Sequence, residues 1–295
     1  MPTVAVLSPG AMGSALGAAL ARGGARVVAT VARRSERTAR LAESANIELL
    51  PDLASVVHEA DFVLSIVPPE SAGNVVADVL EAAREAGAFP LLADLNAVSP
   101  ASVRAAADAA LGAGCDLVDG SISGPPPWSS GTTRLYLSGP RADEVARLPF
   151  AGVETIVVGA HVGAASAVKM STASVYKGTS ALLAHALLTA DANGVLEHVL
   201  RDLRTGSPEL SANVARRLAT AASKSDRYVA EMREIAATQA AAGLTPALFD
   251  AMAEAFAHLS ASALARSAPE DLPADATLDD VLAGLEGARR TSVGS

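Results

Sequence analysis

Short apolar runs alternate with helical patterns over roughly the first 160 residues of the chain. The runs that predict strands are 4–7, 26–31, 47–49, 62–67, 90–95, 117–120, 134–138 and 155–158. The helical patterns between them cover 11–23, 36–44, 71–87 and 102–111. This alternation predicts an α/β fold, in which a mostly parallel, doubly wound sheet is covered by helices on both faces.

The pattern changes at Gly163, where an Ala- and Leu-rich segment without proline begins. It predicts one long helix over 163–193, ended near Asn193 and Gly194. Only helical patterns follow it, at 195–203, 208–222, 225–242, 246–267 and 278–288, before a tail at 289–295. We therefore predict two domains, an α/β domain at 1–162 and an all-α domain at 163–295, joined by the long interdomain helix.

Charge and composition exclude several classes of protein. A formal net charge of -9 argues against nucleic-acid binding, which needs a basic surface. The single cysteine, Cys115, cannot form an intrachain disulfide, and the five histidines show no metal-ligand spacing, so we predict a reducing compartment and no metal site. The sequence shows neither a signal-peptide pattern nor a membrane-spanning run, so we expect a cytoplasmic protein without a membrane partner.

A glycine motif follows the first predicted strand. It reads Ser8-Pro9-Gly10-Ala11-Met12-Gly13 and opens the first predicted helix. The dinucleotide fingerprint has glycine at three such positions, and here Ser8 replaces the first. The motif predicts that Gly10, Ala11, Met12 and Gly13 bind the pyrophosphate of a dinucleotide at the helix N-terminus. A tight strand–helix turn without a ligand is the alternative.

The end of the second predicted strand indicates which dinucleotide binds. An acidic residue there suits the ribose hydroxyls of NAD, whereas arginine suits the 2′-phosphate of NADP. Arg33, Arg34 and Ser35 occupy this position, and the first carboxylate after them is Glu36. We predict a preference for NADP(H) over NAD(H). Solvated loop arginines are the alternative.

Three further stretches, with the glycine motif, resemble the β-hydroxyacid dehydrogenases, which include 6-phosphogluconate and 3-hydroxyisobutyrate dehydrogenases. Residues 119–125 (Asp-Gly-Ser-Ile-Ser-Gly-Pro) are similar to the substrate loop of that family. Residues 94–100 are similar to the strand end beside the nicotinamide, and residues 163–169 to the start of the interdomain helix with its catalytic lysine. Residues 163–178 and 228–235 resemble the branch with a phosphogluconate-dehydrogenase-like C-terminal domain, which mostly lacks an assigned substrate.

The resemblance implies a role for several side chains. Lys169 would be the general acid and base, provided that burial lowers its pKa towards neutrality. A lysine that extends along the helix to place its charge in water is the alternative. By the same resemblance Ser121, Ser123 and Gly124 would bind the substrate, and Val67, Pro68 and Asn96 would border the nicotinamide. Related enzymes pair through the helical domain, so we expect a homodimer.

The sequence departs from the family at two positions. Ala173 stands where the family has an asparagine four residues after the lysine, and Ser8 fits the glycine turn if its φ is negative. Lys177 lies eight residues after Lys169, and we hypothesise that it replaces the asparagine or binds an anionic group of the substrate, with Tyr176 beside it. A surface lysine is the alternative. Glu231 and Glu234 lie three residues apart on one helical face, and we expect both to be solvated charges; reach into the cleft from a partner subunit is the alternative.

The sequence thus favours an NADP(H)-dependent oxidoreductase that transfers a hydride between the nicotinamide and a small, anionic hydroxy acid or its carbonyl partner. An imine reductase of the same architecture is the first alternative, although such enzymes generally carry aspartate or tyrosine where Lys169 stands. A non-catalytic NADP(H)-binding sensor is the second alternative.

Overall fold

The computed structural model describes residues 1–32, 34–128, 131–267, 273 and 275–285. Its contacts divide the chain into two compact units, Met1–Met170 and Ser171–Ser295. The division falls inside one long helix, α7 (Ala164–Ala192), which covers the segment predicted as the interdomain helix. The boundary at 162/163 stays a prediction.

The first unit is built on an eight-stranded sheet. Its strands are β1 (Thr3–Leu7), β2 (Arg26–Ala29), β3 (Glu48–Leu49), β4 (Phe62–Ser65), β5 (Leu91–Asp94), β6 (Leu117–Ser123), β7 (Arg134–Ser138) and β8 (Glu154–Gly159). They lie in the order β3-β2-β1-β4-β5-β6-β7-β8, and each neighbouring pair is parallel except β6 with β7. The predicted mostly parallel sheet is confirmed.

Helices cover both faces of this sheet. They are α1 (Ala11–Arg22), α2 (Glu36–Ser44), α3 (Leu53–Glu59), α4 (Pro69–Ala86), α5 (Pro100–Gly112) and α6 (Ala142–Ala146), followed by the first turns of α7. Along β1, Val4 and Val6 pack into one hydrophobic cluster, while Ala5 and Leu7 pack into another. Side chains alternate between the two faces of a strand, so an uninterrupted apolar run marks a strand buried on both faces.

The first unit differs from the prediction in its short helices and in helix starts. Helices α3 and α6 were not predicted, because each is too short to show a helical repeat. The side chain of Asp52 begins α3 by accepting a hydrogen bond from the Ser55 N–H at 2.8 Å. Helices α4 and α5 each begin at a proline, two residues before the predicted start, because the first helical position needs no N–H donor.

In its described residues the second unit contains helices joined by turns and no strand, as predicted. After the end of α7 come α8 (Leu196–Gly206), α9 (Pro208–Ser211), α10 (Val214–Ser223), α11 (Ser225–Ala241), α12 (Ala247–Ser260), a 3₁₀ turn (Leu264–Arg266) and α13 (Leu278–Gly284). Phe256 is fully buried, and its ring meets that of Tyr228 edge to face at a centroid distance of 5.2 Å.

Two helix predictions in this unit are wrong. The predicted helix 208–222 is broken between α9 and α10, where Asn213 takes a left-handed conformation with φ +52°. The predicted helix 246–267 ends at Ser260 and continues only as the 3₁₀ turn. The last residues of the predicted helix 278–288, and the tail at 289–295, lie outside the described residues.

Candidate active site

The turn between β1 and α1 leaves room for a ligand at the helix N-terminus. A Cβ atom added to Gly13 would lie 2.6 Å from the carbonyl oxygen of Ser8, so this position tolerates only glycine. A Cβ atom added to Gly10 would approach that oxygen to no less than 4.0 Å, and Gly10 therefore borders open space. No side chain caps the N-terminus of α1 at Gly10, and the first N–H groups of a helix lack partners within the helix. The turn thus offers N–H donors and a positive dipole to an anion.

Ser8 adopts the backbone conformation that the fingerprint reserves for glycine. Its φ is +62°, so the condition of a negative φ, under which serine would fit without strain, is not met. The left-handed conformation costs an L-residue about 1–2 kcal/mol, and glycine avoids this cost. The glycine-type turn is therefore kept at Ser8 in spite of its side chain.

The carboxyl ends of β4 and β5 meet beside this turn. The order of strands reverses between β1 and β4, and ligands of such sheets bind in the crevice at that point. The buried side chain of Asn96 accepts a hydrogen bond from the Val67 N–H at 2.6 Å and donates one to the Ser65 hydroxyl at 2.9 Å. Asn96 therefore ties the two strand ends together, next to Val67 and the exposed Pro68.

A buried carboxyl that the sequence analysis did not single out lies at the same edge. Asp94 ends β5, is 3% exposed, and accepts a hydrogen bond from the Asn96 N–H at 2.9 Å. Burial raises the pKa of Asp94 to about 6; the Asn96 hydrogen bond opposes this rise, and the charge of nearby Asp119 adds to it. Asp94 is therefore a group whose protonation changes in mildly acidic solution.

The end of β2 presents two of the three residues predicted to select NADP. Arg34 and Ser35 are both exposed, and Arg33 lies outside the described residues. Ser35 is the N-cap of α2, where its hydroxyl accepts a hydrogen bond from the Thr38 N–H at 3.3 Å. The Arg34 guanidinium group and the N-terminus of α2 therefore lie at the position that contacts the ribose in dinucleotide-binding sheets of this type.

A buried aspartate fixes the start of α7. Oδ2 of Asp119 accepts hydrogen bonds from the Gly163 N–H, the Ser166 N–H and the Ser138 hydroxyl at 2.9, 3.1 and 2.8 Å. Its Oδ1 accepts one from the Ser166 hydroxyl at 2.7 Å, and the side chain is fully buried. The carboxylate acts as the N-terminal cap of α7, although it comes from β6.

Lys169 lies one helical turn after this cap, at the end of β6. Its ammonium group donates a hydrogen bond to the carbonyl oxygen of Ile122 at 2.7 Å. The Ser121 hydroxyl donates to the carbonyl oxygen of Ala165 at 2.9 Å, so strand and helix are joined at this point as well. Lys169 is thereby held immediately before Ser123 and the following loop, which the sequence predicts to bind substrate.

Three of the five residues predicted to bind substrate lie on β6 or directly after it, and they differ in their surroundings. Ser121 is 1% exposed, and its hydroxyl donates to the carbonyl oxygen of Ala165 and so joins β6 to α7; its role in substrate binding stays a prediction. Ser123 is partly exposed at the end of β6. Gly124 has φ +112°, and a Cβ atom there would lie 2.7 Å from the carbonyl oxygen of Thr132. The loop therefore requires glycine at this position.

In the second unit, Lys177 belongs to a buried charge cluster. It forms an ion pair with Glu231, which also pairs with Arg227 at 3.0 Å, and its Nζ lies 4.5 Å from the centroid of the Tyr228 ring. The side chains of Lys177 and Glu231 are only 14% and 3% exposed. The alternative of a surface lysine and the expectation of a solvated Glu231 are both wrong. A role of Lys177 or the exposed Tyr176 in substrate binding stays a prediction.

Metal-binding clusters and membrane-spanning helices are both absent from residues 1–32, 34–128, 131–267, 273 and 275–285. There, no group of three or more His, Cys, Asp and Glu side chains is arranged to hold a metal ion. Within those ranges, too, no helix is both long and apolar enough to cross a membrane.

Comparison with known proteins adds to this geometry. Residues 3–88 match the family described as NADP oxidoreductase coenzyme F420-dependent, and residues 190–259 match a domain of unknown function, DUF1932. No curated protein is significantly similar to the chain.

Three solved structures illustrate the likeness. A conserved protein of unknown function, described as structurally similar to 3-hydroxyacid dehydrogenases, is 29% identical over 88% of this chain and 96% of its own, with a TM-score of 0.63. The 3-hydroxyisobutyrate dehydrogenase of Mycobacterium tuberculosis is 22% identical over 97% and 99%, with a TM-score of 0.65. An imine reductase of Streptomyces aurantiacus is 23% identical over 91% and 97%, with a TM-score of 0.56.

The fold and the turn after β1 define a protein with a Rossmann-type unit followed by a helical unit. The chain is similar in sequence motifs and in fold to the β-hydroxyacid dehydrogenase-like superfamily. The family resemblance seen in the sequence is confirmed.

Proposed function

We propose that the protein is an NADP(H)-dependent oxidoreductase that interconverts a small hydroxy acid and its carbonyl partner, with Lys169 as general acid and base. The observation that carries the proposal is the position of the Lys169 ammonium group. It is fixed at 2.7 Å from the carbonyl oxygen of Ile122, directly before Ser123 and Gly124, in the unit that also holds the open glycine turn.

The residues around that turn fit a dinucleotide. The open space at Gly10 and the uncapped N–H groups of Ala11, Met12 and Gly13 suit a pyrophosphate. Val67, Pro68 and Asn96 would border the nicotinamide at the strand ends.

The preference for NADP(H) rests on the end of β2. No carboxylate occurs between Ala29 and Glu36, and Arg34 and Ser35 are exposed beside the N-terminus of α2. An arginine fork and a hydroxyl suit a 2′-phosphate, which NAD(H) lacks. Arg33 would add a second guanidinium.

The reaction then needs one proton to move at the substrate oxygen. When bound, the nicotinamide supplies or accepts the hydride. In reduction, Lys169 gives a proton to the oxygen of the carbonyl as negative charge builds there; in oxidation, it takes the proton from the hydroxyl. The Ser123 hydroxyl and the Gly124 N–H hold a carboxylate of the substrate, and Asp119 keeps the start of α7, and with it Lys169, in place.

A substrate screen tests this function. Purified protein is mixed with NADPH or NADH and a panel of 2- and 3-keto acids, aldehyde acids and cyclic imines, and consumption of the reduced cofactor is followed by its absorbance. We expect turnover of a keto acid or aldehyde acid with NADPH in preference to NADH. Equal use of the two cofactors would refute the NADP(H) preference, and NADPH binding without turnover of any compound would favour a sensor.

An imine reductase is the second candidate. Tyr176 on α7 is 72% exposed and provides a phenol that is accessible to a ligand. Reduction of the cyclic imines alone, lost in Tyr176→Phe and kept in Lys169→Ala, would support this candidate over the hydroxy-acid reaction.

We further propose a homodimer that forms through the second unit. Val175 and Leu182 are 63% and 62% exposed on α7, seven residues apart and therefore on one face of the helix. Large exposed apolar side chains on one face mark an interaction surface. Sedimentation should give a dimer at micromolar concentration and a monomer for Leu182→Glu, whereas a monomeric native protein would reject the proposal.

A further inference from the structure

A cavity of about 370 Å³ lies in the second unit, where the chain breaks between α9 and α10. The break at Asn213 turns the chain, and Arg216, Arg217 and Thr220 then line the cavity from α10. Tyr228 lines it from α11. The volume is within the range of small-molecule sites, about 300–1,000 Å³.

Two positive charges at this cavity have no ion-pair partner among the residues that the structure describes. Neither Arg216 nor Arg217 forms an ion pair or a side-chain hydrogen bond with any part of the chain that the structure describes. Among the described residues, Glu209 is the one acidic residue that lines the cavity; it is exposed, as is Arg216, whereas Arg217 is partly buried. The lining therefore carries two guanidinium groups against one solvated carboxylate.

The neutral polar groups of the cavity add hydrogen-bond donors. Asn213 has a left-handed conformation, and its side chain does not cap α10. Its amide group is therefore not used to start that helix. Burial raises the pKa of Tyr228, so the phenol stays protonated and able to donate at neutral pH. Thr220 contributes a partly buried hydroxyl.

We propose that this cavity binds a small anion, a carboxylate or a phosphate, through Arg216 and Arg217. A guanidinium group donates two parallel hydrogen bonds to two oxygens of a carboxylate or a phosphate. Two arginines without ion-pair partners among the described residues, beside neutral donors, therefore favour a ligand that carries one of these groups. The arginines, Asn213, Thr220 and Tyr228 fall within the 190–259 segment that matches a domain of unknown function, and the proposal gives that segment a ligand-binding role. The site goes beyond the proposed hydride transfer, because none of the residues proposed for that reaction lines the cavity.

Anion binding by the whole protein, without cofactor or substrate, tests the proposal. Isothermal titration with inorganic phosphate and, separately, with succinate distinguishes phosphate from carboxylate recognition. The native protein is compared with Arg216→Gln, Arg217→Gln and Arg217→Lys. Arg204→Gln, which removes an exposed arginine of α8 that does not line the cavity, is the matched control.

We expect one of the two anions to bind, with affinity lowered about tenfold or more in each glutamine variant, since a hydrogen bond to a charged group contributes about 1.5–3 kcal/mol. Arg217→Lys should lie between the native protein and Arg217→Gln, and Arg204→Gln should bind as the native protein does. Far-UV circular dichroism and the melting temperature without anion show whether each variant folds. Equal binding by the native protein and both folded glutamine variants, or no binding of either anion, would overturn the proposal.

Discussion

Replacing Asp119 by alanine tests the cap that fixes the start of α7. The substitution removes the acceptor of four hydrogen bonds, two from backbone N–H groups and two from serine hydroxyls, at a fully buried position. The hydroxyls can turn to other acceptors, whereas the N–H groups of Gly163 and Ser166 cannot. Each buried donor without a partner costs about 1–3 kcal/mol, so we expect a loss of about 4 kcal/mol. For a unit of this size that corresponds to a fall in melting temperature of roughly 8–16 °C.

Trp128 makes this measurement specific to the first unit. It is the single tryptophan of the chain, so its fluorescence during urea unfolding reports on that unit. Asp119→Asn keeps an acceptor oxygen and should lose less than Asp119→Ala. Asp116→Ala is the matched control, because Asp116 is exposed and pairs with Arg141 at the surface, which contributes at most about 1 kcal/mol. If Asp119→Ala were no less stable than Asp116→Ala, the cap would not hold α7 in place and the reasoning would be refuted.

Three further predictions concern the same unit. The pKa of Asp94 is raised from 3.8 to about 6 in the folded protein. Between these pH values the unfolded chain has released the proton that the folded chain keeps, so the free energy of unfolding falls by roughly 3 kcal/mol as pH rises from about 4 to about 6. Asp94→Asn should remove this loss, so the variant should gain stability over the native protein above pH 6 and match it near pH 4 in denaturant titrations; parallel pH curves would contradict this. Arg34→Ala should raise the KM for NADPH about tenfold with little change for NADH, while Arg40→Ala on α2 should change neither; equal effects on the two cofactors would remove Arg34 from the 2′-phosphate site. Gly124→Ala should destabilise the unit by more than about 2 kcal/mol, since the added methyl group clashes with the backbone and the left-handed conformation is strained for alanine. Gly131→Ala is the control and should be close to neutral, because its Cβ would meet no atom within 4 Å. Equal melting temperatures of the two variants in thermal unfolding would refute the steric argument.

The fold was predictable because its signals are local. Apolar runs of strand length mark strands buried on both faces, and the absence of proline from 163 to 193 marks α7. The break at Asn213 carried no such signal, since asparagine is compatible with a helix and the apolar pattern continues across it. The left-handed Ser8 was also missed, because the surrounding turn imposes a conformation that serine alone disfavours.

The candidate site was predictable only in part. Lys169 and the loop at Ser123 were proposed from motif order, which a family resemblance supplies. Asp119 begins the motif at 119–125, but its capping role was not predicted, because its partners Gly163 and Ser166 lie 44 and 47 residues further along the chain. The pairing of Lys177 with Glu231 is likewise a contact between distant helices, which helical spacing within α7 does not reveal.

The central claim is that Lys169 moves the proton in an NADP(H)-dependent reaction. The decisive measurement compares kcat with the Kd for NADPH in Lys169→Ala and in the control Lys224→Ala, using whichever carbonyl compound the native protein reduces. The account predicts a kcat lowered about 10²–10⁴-fold in Lys169→Ala at an unchanged Kd, and no effect in Lys224→Ala. A Lys169→Ala protein that turns over as fast as the native protein would contradict it.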